Sequence, residues 1–136
     1  MKISTRGRYA LRVMVDLAEH REEGYIPLKD IVARQLISQK YLEGIMTDLS
    51  KAGVVEGVHG KGGGYKLNRD PGDYTVGDIL RVTEGDLAPI SCLEGHGAGC
   101  VRAPECRTLP MWKKLYDLIN DYFDGITLFD LMEQSK

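Results

Sequence analysis

No stretch of this chain comes near the roughly 20 consecutive apolar residues that a membrane-spanning helix needs, so no membrane partner is expected. The opening MKISTRGRYALRVMVDLAEH is basic and then apolar, but Arg12, Asp16 and Glu19 interrupt any secretory signal core. Both absences point to the cytoplasm. Histidines are scarce, at positions 20, 59 and 96, and far apart. No nucleophile–base constellation or pair of carboxylates stands out, so the expectation is that the chain is not an enzyme. Cysteines are scarcer in distribution than in number: all three lie in SCLEGHGAGCVRAPEC, residues 91–106. In the cytoplasm thiols stay reduced, and clustered cysteines there more often bind metal than form structural disulfides.

Net charge is also nearly absent, at −2 over 136 residues, but it is unevenly distributed. Residues 1–69 hold twelve Lys/Arg against eight Asp/Glu, and residues 70–136 hold six against twelve. A basic half joined to an acidic half fits a nucleic-acid module followed by something else. Two ordinary solvated surfaces would give the same counts.

A first helix is expected from Ser4 or Thr5 to about His20, with Leu11, Met14, Val15 and Ala18 on one apolar stripe. Tyr9, Val13 and Leu17 line a second stripe, so this helix should be sandwiched between two parts of the protein. Arg6, Arg8 and Arg12 place positive charge near its start, where the helix dipole disfavours it. A phosphate partner and plain solvation are both open readings of those arginines. A second helix should begin near Pro27 and break at QLIS. Ser38 then caps a third, SQKYLEGIMTDLSKAG, with Leu42, Ile45, Met46 and Leu49 at helical spacing and Gly53 as its stop.

Two short helices joined by a tight turn make a helix-turn-helix. The segment VVEGVHGKGGGYKLN that follows reads as strand, glycine-rich tip and strand, with Val54, Val55 and Val58 ascending and Tyr65 and Leu67 returning. Glycines 60, 62, 63 and 64 permit a backbone path closed to side chains and a close approach to phosphate, with His59, Lys61 and Lys66 as donors. A nucleotide-binding loop fails on context, because such loops run from strand into helix. The pattern is a winged helix.

Beyond Arg69 the chain turns at DPGDYT, and VGDILRVTEG reads as a short helix with Val76, Ile79 and Leu80 inward. The glycine-rich cysteine segment reads as a loop. Thr108 then caps a long helix that tolerates Pro110 in its first turn and ends at Gly125. Its apolar positions are Leu109, Trp112, Leu115 or Tyr116, Ile119, and Tyr122 or Phe123. That stripe is long for so small a protein, and a second copy of the chain is the expected partner. TLFD opens a last short helix with a capping-box pattern. The fold class is therefore mainly α with a small β-wing. Residues 1–70 form the winged helix-turn-helix domain, and residues 71–136 carry the cysteine loop and the dimerisation helix.

Thiolates are soft ligands suited to iron–sulfur clusters and to zinc, and a glycine-rich loop can wrap Cys92, Cys100 and Cys106 around one centre. His96 would complete a zinc set of three cysteines and one histidine. A disulfide formed under stress, with one thiol left over, would make a redox switch.

The order of parts resembles the IscR/NsrR/CymR-type family of bacterial winged-helix regulators. The residues carrying the likeness are MKISTRGRYALRVMVDLA, PLKDI, SQKYLE, GKGGGYKL, VGDILRVTEG and WKKLYDLINDYFDGITLFDL. The resemblance implies a homodimer that binds a palindromic operator in double-stranded DNA and represses or activates transcription. Cluster-binding members carry three cysteines in this loop and hold a [2Fe–2S] or [4Fe–4S] cluster, which here would fall to Cys92, Cys100 and Cys106. A cluster-free repressor that responds to a protein partner or to thiol oxidation is the other branch. The fourth ligand departs from both known patterns. IscR-like members place a histidine where this chain has Leu109, and NsrR-like members use a carboxylate where it has Arg8. His96, Glu94 and Glu105 are the candidates within the loop.

For DNA the third helix offers Ser38, Gln39, Lys40, Tyr41, Glu43 and Thr47. Gln39 can pair with adenine, Lys40 can reach guanine or phosphate, and Glu43 can accept from the amino group of cytosine. An intra-helix pair of Glu43 with Lys40 or Lys51 is the competing reading. The resemblance places the matching glutamate at the DNA interface. It also implies that His59 stands at the wing tip where relatives often carry arginine, beside Gly60 and Lys61.

Overall fold

The structure, a computed structural model, describes residues 2–97 and 102–134. Helix α1, Thr5–Glu19, starts where the Ser4 hydroxyl accepts the Gly7 amide at 3.0 Å, satisfying one of the amide donors that a helix start leaves free. It buries Ala10, Val13, Met14, Leu17 and Ala18, while Leu11 packs into a second cluster, so the helix is covered on two sides. Helix α2, Leu28–Gln35, follows Pro27 and stops at Leu36, which has a left-handed φ of 55°. Helix α3, Gln39–Lys51, is capped by Ser38, whose hydroxyl accepts the Tyr41 amide at 3.3 Å. Ala52 closes it and Gly53 leaves in the left-handed conformation, φ 76°.

Strands β1, Val55–Val58, and β2, Gly64–Leu67, pair antiparallel with Val55 opposite Leu67 and Val58 opposite Gly64. Val54 and Val55 are buried, whereas Val58, expected on the same ascending arm, is exposed at the tip. Ile26 and Tyr65 exchange backbone hydrogen bonds of 2.8 and 2.9 Å, so the segment before α2 docks on the outer edge of the hairpin.

Helix α4, Val76–Glu84, opens with a reciprocal capping box between Thr75 and Asp78. The segment read as a loop contains two short 3-10 turns, Ser91–Gly97 and Ala103–Glu105. Helix α5, Leu109–Asp124, follows, and helix α6, Leu128–Gln134, begins with the expected box, here between Thr127 and Asp130. Thr108 does occupy the N-cap position of α5, but its side chain makes no capping hydrogen bond; its hydroxyl lies 3.5 Å from Cys106 Sγ instead.

The main core gathers α1, α2 and α3 around Leu42, Ile45, Met46 and Leu49, and it also takes in Tyr74, Ile79 and Leu128 from beyond residue 70. The Tyr74 hydroxyl, fully buried, donates to the Val54 carbonyl at 2.8 Å and accepts the Asn68 amide at 3.0 Å. A buried hydroxyl needs such partners, and these two fix the base of the hairpin to the segment leading into α4. A smaller cluster of Val76, Leu80 and Leu87 receives Tyr116, Ile119 and Phe123 from α5.

Candidate nucleic-acid interface

Helix α3 has one apolar face turned wholly inward, which leaves Ser38, Gln39, Lys40, Glu43 and Thr47 exposed on the other. The Gln39 amide donates to Glu43 Oε1 at 3.2 Å, one helical turn apart. No ion pair of Glu43 with Lys40 or Lys51 occurs among the described residues; the side chain is oriented by Gln39 instead. Tyr41, expected among the readers, is half-buried: its ring meets Tyr9 edge-to-face at 5.7 Å. Tyr41 thus presents part of its surface outward and uses the rest to seat α3 on α1.

The three arginines of α1 have different fates. Arg6 gives two hydrogen bonds to Asp48 Oδ2 on α3, at 2.9 and 2.6 Å, and its guanidinium lies over Gly44. Arg12 donates to the side chain and the backbone carbonyl of Gln35, the last residue of α2, and stacks over Tyr9 at 5.0 Å. A cation at that carbonyl satisfies an acceptor the helix end leaves open. Arg8 is exposed and donates to Thr5 Oγ1. Of the three arginines, for which a phosphate partner and plain solvation were both open, Arg6 and Arg12 are thus engaged within the chain and Arg8 is the outward cation.

At the wing tip His59, Gly60 and Lys61 are all exposed. Gly60 and Gly62 have φ of 91° and 81°, which glycine adopts at no steric cost. Gly63 and Gly64 are required for a different reason. A Cβ on Gly63 would sit 2.2 Å from the Val58 carbonyl, and one on Gly64 would sit 2.2 Å from the Ile26 carbonyl. Lys66, expected as a wing donor, instead pairs with Glu56 at 3.7 Å and lies over the Tyr25 ring at 4.7 Å.

Two features of this surface escape periodicity. Asp16 lies on a helix of mostly apolar character, yet its carboxylate is buried and held by Arg34 and Gln35 from α2. Burial pushes its pKa up, but the hydrogen bonds from Arg34 and Gln35 and the Arg34 charge outweigh that and hold the carboxyl below the ordinary aspartate range. Leu36, in the turn between the helices, is 87% exposed. The only signal for it in the sequence is an apolar residue where the RQLIS break would favour glycine or asparagine.

In the cysteine segment Cys92 is exposed and Cys106 half-buried, both as free thiols. Cys100 lies outside the described residues, as does the side chain of His96. Among the described residues no three His, Cys, Asp or Glu side chains converge on a common point. The donor chemistry nevertheless fits a thiophilic centre. The Thr108 hydroxyl, then the backbone amides of Thr108 and Leu109 at the start of α5, hold the Cys106 thiol below its ordinary range. That favours the thiolate, the form that ligates. Glu94 and Glu105 are exposed.

Residues 3–134 match the family model Rrf2, described as an iron-dependent transcriptional regulator. The chain is 41% identical over its whole length to the HTH-type transcriptional regulator IscR of Aliivibrio salmonicida, covering 80% of that protein. It is 38% identical to IscR of Photobacterium profundum, again over its whole length and 78% of that protein. Among solved structures, CymR, the global cysteine regulator of B. subtilis, superposes with a TM-score of 0.81 at 36% identity, covering all of this chain and 99% of that one. T. potens IscR superposes with a TM-score of 0.75 at 38% identity, covering all of this chain and 89% of that one. The chain belongs to the Rrf2 family. It is a DNA-binding transcriptional regulator of the IscR type and not an enzyme.

Proposed function

We propose that this Rrf2-family regulator acts as a homodimer on a palindromic operator, and that Cys92, Cys100 and Cys106 hold an iron–sulfur cluster which controls operator binding. The observation that carries the DNA half is the exposed polar face of α3, with Gln39 and Glu43 already hydrogen-bonded to each other. Gln39 and Lys40 meet base edges or phosphate, and Glu43 accepts from cytosine, which makes it a source of specificity more than of affinity. His59, Gly60 and Lys61 follow the minor groove from the wing tip.

Dimerisation is assigned to α5. Tyr116, Ile119 and Phe123 pack on the chain itself. Met111, Leu115, Leu118 and Tyr122, spaced by four, three and four residues, remain exposed on another face. Apolar residues in that rhythm form a helix–helix seam. Two-fold pairing through it would set two winged helices over two half-sites, one recognition helix per major groove.

The cysteines, on this reading, ligate as thiolates, with Cys106 favoured in that form by its place before α5. A bound [2Fe–2S] or [4Fe–4S] cluster would supply a centre whose loss or oxidation follows iron supply, oxygen or nitric oxide. The kinship with IscR proteins and the three-cysteine set support this over zinc. The segment joins α4 to α5, so its ordering bears on how the helix pair sits. Asp86 accepts Tyr116 Oη at 2.7 Å, and Arg81 grips Asp124 at 2.8 and 3.0 Å and Asn120 at 2.8 Å. These contacts bind the two sides of the segment together.

Purification under anaerobic conditions from the cytoplasm of an expressing cell, with iron and sulfide assays and an absorbance spectrum, tests the cofactor. Coloured protein with matching iron and sulfide is expected, and Cys92→Ala should lose both. Colourless protein that resists reconstitution would remove the cluster. It would leave a cluster-free repressor sensing through thiol oxidation or a protein partner, the reading that the likeness to CymR supports. Zinc in stoichiometric amount would name the other metal. Equal operator affinity of cluster-loaded and stripped protein would reject the coupling.

A further inference from the structure

We propose that Leu36 is a specificity-determining residue that reads thymine through its C5-methyl group at the edge of each half-site. The inference rests on the DNA-binding reading of α3 and names a base contact that none of the polar residues of that helix provides.

Two unfavourable features coincide at this position. Leu36 carries a left-handed φ of 55°, and among the described residues it is the non-glycine with positive φ. Glycine would end α2 in that conformation without the Cβ conflict, and asparagine would offset it through local hydrogen bonds of its short polar side chain. Its side chain is also 87% exposed, more than any other large apolar side chain among the described residues. Neither feature is compensated by packing inside the chain. The left-handed turn is held by its surroundings: the Leu36 amide bonds the Val32 carbonyl at 2.9 Å, and Arg12 grips the Gln35 carbonyl just before it. A strained residue kept in place by its neighbours, at a binding surface, is where an outlier points to function.

Its position selects the partner. Leu36 stands two residues before Ser38, the N-cap of α3, and the N-terminal end of a recognition helix is the part that meets base edges. It lines a shallow concavity with Thr5, Tyr9, Ile37, Ser38 and Tyr41. The hydroxyls of Thr5 and Ser38 suit phosphate, and Leu36 is the most exposed apolar side chain of that lining. In the major groove the apolar feature of a base pair is the thymine methyl, which apolar side chains contact.

The test uses the full chain and duplexes enriched by it from a random pool. The wild-type consensus should hold a thymine, at one position per half-site, that the Leu36→Gly consensus lacks. Replacing that thymine by deoxyuridine removes only the methyl. Wild-type affinity should then fall about fourfold per half-site, the effect of one buried methyl-sized group. Leu36→Gly should lose about as much on the thymine duplex and show no response to deoxyuridine. Leu36→Gly and Leu36→Asn should melt no lower than wild type, since both accept the left-handed conformation. Wild-type binding unchanged by deoxyuridine, or a Leu36→Gly protein that keeps the wild-type response, overturns the Leu36 assignment and leaves the DNA-binding reading intact. Failure of the wild-type protein to enrich any duplex overturns both.

Discussion

Arg34 holds Asp16 in a two-pronged grip, Nε to Oδ2 at 2.9 Å and Nη2 to Oδ1 at 2.8 Å, across the joint between α1 and α2. The carboxylate is 1% exposed while the guanidinium reaches solvent at 32%. Gln35 adds a third bond at 2.8 Å. A buried carboxylate left without its cation is strongly destabilising, by about 3–5 kcal/mol. Gln35 remains in Arg34→Met, so the cost there is expected near the lower end, about 3 kcal/mol, read from urea denaturation. A loss under about 1 kcal/mol would show that the pair behaves as a surface contact.

The same carboxyl gives stability a pH dependence. Its folded pKa lies below the unfolded one, so deprotonation favours folding. The contribution is complete above the unfolded value of about 3.9 and disappears as pH falls from there through the folded value. Unfolding free energy measured against pH should therefore drop more steeply below about pH 4 in the wild type than in Asp16→Asn. Parallel curves would contradict this.

Salt dependence of operator binding separates the arginines of α1. Each phosphate contact adds about 0.9 to the slope of log affinity against log salt. Arg8→Ala, which removes one contact from each half of the two-fold complex, should lower the slope by about 1.8. Arg6→Ala should leave it unchanged, because Arg6 is committed to Asp48, and should cost at most about 1 kcal/mol of stability. Equal slope losses for the two variants would mean that Arg6 leaves Asp48 for the duplex.

Leu118→Asp should disrupt pairing through α5, because a two-fold interface places the charge twice. Losing two buried leucines at about 1.5 kcal/mol or more each weakens dimerisation by at least about a hundredfold. Sedimentation would detect this, with Lys113→Asp, on the side of the helix away from the seam, as the control for an exposed charge change.

Glycines of the second half of the wing and its approach should divide sharply. Gly63→Ala and Gly64→Ala force a Cβ onto backbone carbonyls that cannot move aside, and each should cost about 2 kcal/mol or more. Gly72→Ala meets open space at ordinary φ and should lie within about 0.5 kcal/mol of wild type. Thermal unfolding measures all three.

The helices and the hairpin were legible in the sequence because each bears a local mark. Ser4 and Ser38 cap, Gly53 and Gly125 stop, and Leu42, Ile45, Met46 and Leu49 recur with the helical period. The exposed readers of α3 followed from the same period. Side chains whose role depends on a distant partner were not legible. Arg6 and Arg12 read like Arg8 until Asp48 and Gln35 are brought beside them, and Lys66 reads like Lys61 until Glu56 and Tyr25 meet it. Asp16 read only as a charge that interrupts a signal-like apolar core, because nothing local reveals that Arg34 arrives to pair with it.

By itself the chain determined that a helix-turn-helix with a wing precedes a three-cysteine segment and a long apolar helix, since periodicity, caps and glycines act over a few residues. Only the tertiary structure decided which face of α5 is used up and which stays open, which arginine points outward, and that Leu36 is held strained and bare beside the recognition helix. Those outcomes depend on contacts between residues far apart in sequence, and burial and ion pairing are properties of that meeting, not of either residue alone.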